Sequence, residues 1–131
     1  MTNCDIIVST DYNAVLRFHR EEGFQFTTVA ATKNFAIPYG VLETDGHGDL
    51  RQVREKPSND FLVNTGLYLI EPAVLDLIPA KGVFHVTDLM DACLRRGMRV
   101  GVYPVSERAW LDMGQMDEMK RMVEYFRDGG H

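Results

Sequence analysis

Basic charge, cysteine and long apolar runs are all scarce in this sequence. Lysine and arginine number 14 against 19 aspartates and glutamates, a net charge of −5. Nucleic-acid backbones are met by clustered Lys and Arg, so this balance argues against nucleic acid as a partner. It leaves room for a local basic pocket around one phosphate. Only two cysteines occur, Cys4 and Cys93. They have neither CxxC nor Cys/His spacing, which argues against a structural zinc site. Two free thiols suit a reducing, cytoplasmic compartment. Cys4, in what reads as a buried strand, is expected to be inert. No window approaches the roughly 20 apolar residues of a membrane span. The first residues carry no basic stretch of a signal peptide. Internal repeats and low-complexity segments are also missing.

What is present suits one domain of 131 residues with an ordinary apolar fraction of 45%. Met1-Thr2-Asn3-Cys4-Asp5 leads at once into Ile6-Ile7-Val8, as if the chain opened inside an element of something longer. Cys4 to Ser9 reads as a strand end. Thr10 or Asp11 can cap a helix from Tyr12 to Glu22, stopped by Gly23. Phe26 to Lys33 is a strand and Asn34 to Pro38 a connection. Tyr39 to Glu43 and Leu50 to Glu55 form a hairpin around Asp45-Gly46-His47-Gly48. Phe61 to Ile70 is the next strand. Pro72 starts a short helix with Val74, Leu75 and Ile78 inward. Thr87 or Asp88 caps a helix to Arg96, with Leu89, Met90 and Leu94 inward. Arg99 to Val105 and Trp110 to Gly114 are strands. Met116 to Arg127 is an amphipathic helix with Met119, Met122, Val123 and Phe126 at helical spacing. Strands alternating with helices around a hairpin predict an α/β fold with a mixed sheet.

The most informative stretch is Arg54 to Glu71. Glu55-Lys56-Pro57 precedes an apolar run broken by Asn64-Thr65-Gly66. Asn and Gly weaken a strand interior unless the backbone must approach something closely. Glu55 and Lys56 together could face a polyhydroxylated, anionic ligand. Taken alone, they also read as a solvated cross-strand pair of little energetic weight. Gly40 and Gly66 could simply relieve crowding between strands. Trp110 reads as a packing residue, His19 and His85 as structural or surface residues, and Thr87 as a helix cap.

Asn3-Cys4-Asp5, Tyr39-Gly40-Val41, Glu55-Lys56-Pro57, Asn64-Thr65-Gly66-Leu67-Tyr68 and Trp110-Leu111-Asp112-Met113-Gly114 form an ordered series. Their order and spacing resemble the sugar-1-phosphate nucleotidyltransferases, or nucleotide-sugar pyrophosphorylases. The wording looks closest to mannose-1-phosphate guanylyltransferase-like members. The resemblance implies a partial doubly wound, Rossmann-like fold with an inserted β-hairpin. It also implies a reaction in which a nucleoside triphosphate and a sugar 1-phosphate give a nucleotide sugar and pyrophosphate. Catalysis there brings two anions together, so metal and cationic side chains carry much of it.

Position by position, the resemblance makes Asp5 and Asp112 the carboxylates that hold Mg²⁺, and Lys56 the contact to the sugar phosphate. Asp5, Lys56 and Asp112 are thus the catalytic set. It assigns Glu55 to sugar hydroxyls, Gly40 to a close backbone approach, and Asn64, Thr65 and Gly66 to the pocket wall. One departure matters. The family's glycine-rich triphosphate loop has no counterpart here, because Gly46 and Gly48 sit in a hairpin turn. Residues 1–131 are therefore expected to be the sugar-phosphate-binding part of a larger domain, inactive alone. An exposed strand edge is expected to promote self-association. The competing reading is a non-catalytic module that binds a sugar phosphate or completes a partner's fold.

Overall fold

A computed structural model describes residues 1–114 and Arg127. Apart from Arg127, the helix expected from Met116 lies outside the described residues. The fold is built on strand β2 (Phe26–Ala36), whose first six residues are all buried. Continuous burial is the mark of a strand covered on both faces. It pairs antiparallel with β5 (Ser58–Ile70) and parallel with β6 (Val100–Ser106), giving the order β5-β2-β6. The mixed sheet is thus as the alternation of elements predicts.

Side chains alternate across this sheet. Phe26 and Tyr68 turn to one face and pack with Val74, Leu89 and Cys93 from helices α2 (Pro72–Leu75) and α3 (Val86–Arg95). Val29 and Leu67 turn to the other and pack with Val15 of α1 (Tyr12–Glu21) and Val8 of β1 (Ile6–Val8). Helices on both faces of a mixed sheet give the partial doubly wound, Rossmann-like arrangement. The inserted hairpin, β3 (Val41–Thr44) with β4 (Leu50–Arg54), is also present. No described helix is long and apolar enough to cross a membrane.

Local chemistry explains the helix ends. The Asp11 carboxylate accepts the Asn13 N–H at 2.9 Å and caps α1. Inside α1, His19 is buried, with Nδ1 2.8 Å from Thr27 Oγ1 and Nε2 3.0 Å from Glu71 Oε1. It is a structural histidine that ties α1 to β2 and to the end of β5. The cap of α3 is His85 rather than Thr87 or Asp88. Asp88 instead closes a reciprocal capping box, accepting the His85 N–H at 2.9 Å.

Several other expectations are corrected. Strand β2 runs on through Asn34–Ala36, because these residues find partners in Ser58–Asp60 of β5. Such long-range pairing is invisible to local periodicity. Leu75, Ile78 and Leu94 are exposed rather than inward. Helix α2 is a single turn that buries only Val74. On α3 the inward places fall to Leu89 and Cys93. Cys4 is exposed, not buried in a strand, since β1 begins only at Ile6. Cys93 is the buried thiol, and burial pushes its pKa up.

Candidate functional site

Two short strands bring the two aspartates together. β1 pairs antiparallel with β7 (Trp110–Asp112), with Ile6 opposite Asp112 and Val8 opposite Trp110. The Met113 N–H donates to the Asp5 carbonyl at 2.9 Å, which extends the ribbon by one step. Asp5 and Asp112, far apart in sequence, therefore end on one rim. Asp112 Oδ1 accepts the Gly114 N–H at 2.9 Å, which fixes that carboxylate.

The break in the apolar run is a bulge. Val29 pairs with Leu67 while the next residue, Ala30, pairs with Asn64, so Thr65 and Gly66 have no partner on β2. Bulges bend a strand and re-aim side chains beside functional sites. Each residue of the Asn-Thr-Gly sequence has a physical task in it. The Thr65 hydroxyl donates to the Val29 carbonyl at 2.7 Å. Asn64 Oδ1 accepts the Thr28 hydroxyl at 3.1 Å and the Gly66 N–H at 3.2 Å. Asn64 Nδ2 donates to the Tyr68 hydroxyl at 2.8 Å. Gly66 has φ +91°, in the left-handed region, and a Cβ there would lie 2.7 Å from Asn3 Nδ2. The Asn3 N–H in turn donates to the Gly66 carbonyl at 3.0 Å. Burial pushes the Tyr68 hydroxyl's pKa up, with the Asn64 bond acting in the opposite direction.

The aspartate rim and the bulge enclose one small cavity of about 150 Å³. Its walls are Asn3, Asp5 and Ile6 from the first strand, Asn64, Thr65, Gly66 and Tyr68 from the bulge, and Trp110 and Asp112 from β7. Five of the residues singled out from sequence thus meet in one place. A larger hollow of about 410 Å³ lies beside His19 and Glu71 and contains neither aspartate. The smaller cavity is the one that gathers both aspartates.

Gly40, Glu55 and Lys56 do not line this cavity. Gly40 and Glu55 do meet each other at the base of the hairpin, where a Cβ on Gly40 would stand 3.3 Å from Glu55 Oε2. Lys56 is exposed on the turn from β4 to β5, with φ +42°. A lysine in left-handed conformation carries backbone strain that glycine would not. The Ile37 N–H donates to the Pro57 carbonyl at 2.9 Å, tying this turn to the end of β2.

Among the described residues no group of three or more His, Cys, Asp and Glu side chains forms a metal cage. Two carboxylates on one rim, with positions left open, fit a different ion. Mg²⁺ is bound through one or two carboxylates, completed by waters and phosphate oxygens. The donor set of Asp5 and Asp112 is compatible with that ion and lacks the nitrogen and sulfur ligands zinc prefers.

Asn3, Tyr68 and Trp110 also line the cavity, although no ligand-facing role for them was read from the sequence. Asn3 and Tyr68 were inside motifs singled out for their neighbours. The two-residue spacing from Gly66 to Tyr68 was the available signal, since in a strand it sets both on one face. Trp110 does pack, against the cluster of Val8, Val15, Val29 and Leu67, but it also forms part of the cavity wall. Its indole N–H is buried without a hydrogen-bond partner among the described residues.

The sequence profile of the nucleotidyl transferase family matches residues 1–128. A protein of Sulfolobus acidocaldarius, provisionally named a mannose-1-phosphate guanyltransferase, is 34% identical over 112 residues, covering 84% of this chain and 30% of its own length. The UTP–glucose-1-phosphate uridylyltransferase of Synechocystis is 29% identical over 122 residues, covering 87% of this chain and 31% of its own length. The chain thus spans about a third of these relatives. Among solved structures, HddC from Yersinia pseudotuberculosis superposes with a TM-score of 0.60 at 16% identity, covering 93% of this chain and 52% of that one. That likeness shows a shared fold.

Proposed function

We infer, because the chain belongs to the nucleotidyl transferase family, that it supplies the sugar-phosphate side of a sugar-1-phosphate nucleotidyltransferase. The observation that carries this reading is the meeting of Asp5 and Asp112 with the Asn64-Thr65-Gly66 bulge at one cavity. Asp5 and Asp112 would hold Mg²⁺. Bound there, the ion would neutralise charge on phosphate oxygens. Asn64 and Gly66 form the wall against the sugar, with Thr65 bracing the bulge from beneath. Glu55, beside the backbone of Gly40, accepts hydrogen bonds from sugar hydroxyls. Lys56 meets the sugar phosphate. Strain held at an exposed lysine is easier to explain by a task than by packing.

The triphosphate is met by residues outside this chain, since its sequence has no glycine-rich loop between a strand and a helix. The relatives' names divide between guanylyl and uridylyl transfer, and the mannose-1-phosphate guanylyltransferase reading rests on the wording of the motifs. A cytoplasmic location and self-association through the strand edge that ends at Asp5 belong to the same reading. Light scattering tests the second, and a monodisperse monomer at high concentration would count against it.

Release of pyrophosphate from nucleoside triphosphate and sugar 1-phosphate is the direct assay. Turnover that needs a nucleotide-binding half supplied with this chain supports the reading. Sugar-phosphate binding without turnover in that mixture favours the non-catalytic module. Robust turnover by the chain alone contradicts the division of labour.

A further inference from the structure

The cavity wall has a cation beside it that no motif points to. Lys33 lies on β2, opposite Phe61 of β5. Its ammonium stands 5.7 Å from the centroid of the Trp110 ring and 5.9 Å from that of Phe35. Phe35 and Phe61 pack edge to face at 5.8 Å, which encloses the same corner. The side chain is half-buried. Among the described residues, no carboxylate forms an ion pair with it.

This environment is unusual for a lysine. Aromatic faces attract an ammonium but leave its charge uncompensated. Partial burial removes some of the water that would otherwise solvate it. The ring beneath it belongs to Trp110, which is also a wall of the aspartate cavity. The indole N–H of that ring is a buried donor with no acceptor among the described residues. The unmatched polar groups at this wall are therefore a cation and a donor, and both suit an anion. None of the cavity's own walls is cationic, and two are carboxylates. A phosphate entering the cavity needs positive charge from somewhere. Lysine supplies it as a mobile point charge on a four-carbon stem.

We propose that Lys33 is a ligand-binding residue of this cavity, the cation that meets the phosphate of a bound phosphomonoester at the Trp110 wall. The proposal rests on the sugar-phosphate reading of the site. It adds a charge contact separate from Lys56. It also makes Trp110 part of the recognition surface, as the platform that holds the ammonium in place.

The test uses the chain's single tryptophan. Fluorescence of Trp110 is followed while mannose 1-phosphate or glucose 1-phosphate is added with Mg²⁺. Free mannose serves as the uncharged control. Lys33→Met keeps the stem and removes the charge, Lys33→Gln is a second neutral variant, and Lys33→Arg keeps the charge. Both neutral variants are expected to bind the sugar phosphates about tenfold more weakly, with the response to free mannose and the melting curve unchanged. Lys33→Arg is expected to stay within about threefold of wild type. Neutral variants that bind sugar phosphate as wild type does would overturn the role of Lys33 alone. So would a loss in Lys33→Arg as large as in Lys33→Met, because charge would then not be the cause. A wild-type protein that responds to neither sugar phosphate would overturn the underlying reading of the cavity as well.

Discussion

Strands β2 and β5 run side by side as one ladder, yet the ladder has two unlike halves. From Phe26 to Ala31, and from Thr65 to Ile70 on the partner, side chains are buried or nearly so. From Thr32 to Ala36, and from Ser58 to Asn64, they are mostly exposed. Hydrogen bonding continues through both halves, so backbone pairing does not distinguish them. The difference is that helices α1, α2 and α3 cover the first half only. Among the described residues, burial is concentrated where both faces are covered, and the candidate cavity sits where that cover ends. The bulge at Thr65 and Gly66 marks that junction, and the candidate cavity lies there.

The sharpest test of this contrast is a pair of truncations. Phe26→Ala, in the covered half, should cost about 3–5 kcal/mol. Leu62→Ala, in the uncovered half and 57% exposed, should stay within about 0.5 kcal/mol. Denaturant melts of the two variants give the comparison directly, and similar losses would erase the distinction.

At the junction itself, a variant should change ligand binding and spare stability. Asp112→Asn should weaken Mg²⁺-dependent sugar 1-phosphate binding on the order of 100-fold, with the melting midpoint unmoved. A large drop in stability instead would make Asp112 a structural carboxylate. Gly66→Ala should do both kinds of damage. Its left-handed backbone would become strained by about 1–3 kcal/mol, and the new methyl would push Asn3 out of the cavity wall. Chemical denaturation and ligand titration of one sample measure the two effects together.

Lys56 offers a finer test. Replacing it with glycine should relieve its positive φ, leaving stability unchanged or raised by up to about 1 kcal/mol. Sugar-phosphate binding should nonetheless fall. A variant that keeps both stability and affinity would show that Lys56 has no ligand to meet.

The smallest effect is expected in the hairpin. The His47 N–H, joined by those of Asp49 and Gly48 and by Arg51, holds the Asp45 carboxyl below its ordinary value of 3.8, against an opposing desolvation effect. A depressed folded-state value means the contribution is present above about pH 3.8 and lost as pH falls through the lower folded value. Asp45→Asn should remove that acid dependence, lowering the melting midpoint slightly at neutral pH and converging on wild type as pH falls below the folded value.

Much of this was legible in the sequence because local chemistry writes it there. Asp11 ahead of Tyr12, Pro72 at a helix start and the glycines around His47 each announce an element boundary. The β-forming residues from Phe26 to Lys33 announce a strand, and its cover on both faces emerges only from the packing of distant helices. What stayed hidden depends on contacts between distant residues. The extension of β2 to Ala36 needs Ser58–Asp60 as its partner. The bulge needs Asn3 against Gly66 and Thr65 against the Val29 carbonyl. Asn64-Thr65-Gly66 announced an interruption but not its geometry. In the same way, Lys33 shows no motif at all, and its position over Trp110 arises only when β7 pairs with β1.

The proposed function makes the Asp5–Asp112 rim a metal-assisted sugar-phosphate pocket. Calorimetric titration of the protein with mannose 1-phosphate and glucose 1-phosphate, with Mg²⁺ and then with chelator, tests it most directly. Binding heat is expected for at least one of the two ligands in the presence of Mg²⁺, largely abolished by chelation and by replacing both aspartates with asparagine. Heat that is unchanged by chelation and by the double replacement, or no heat with either ligand, would contradict it.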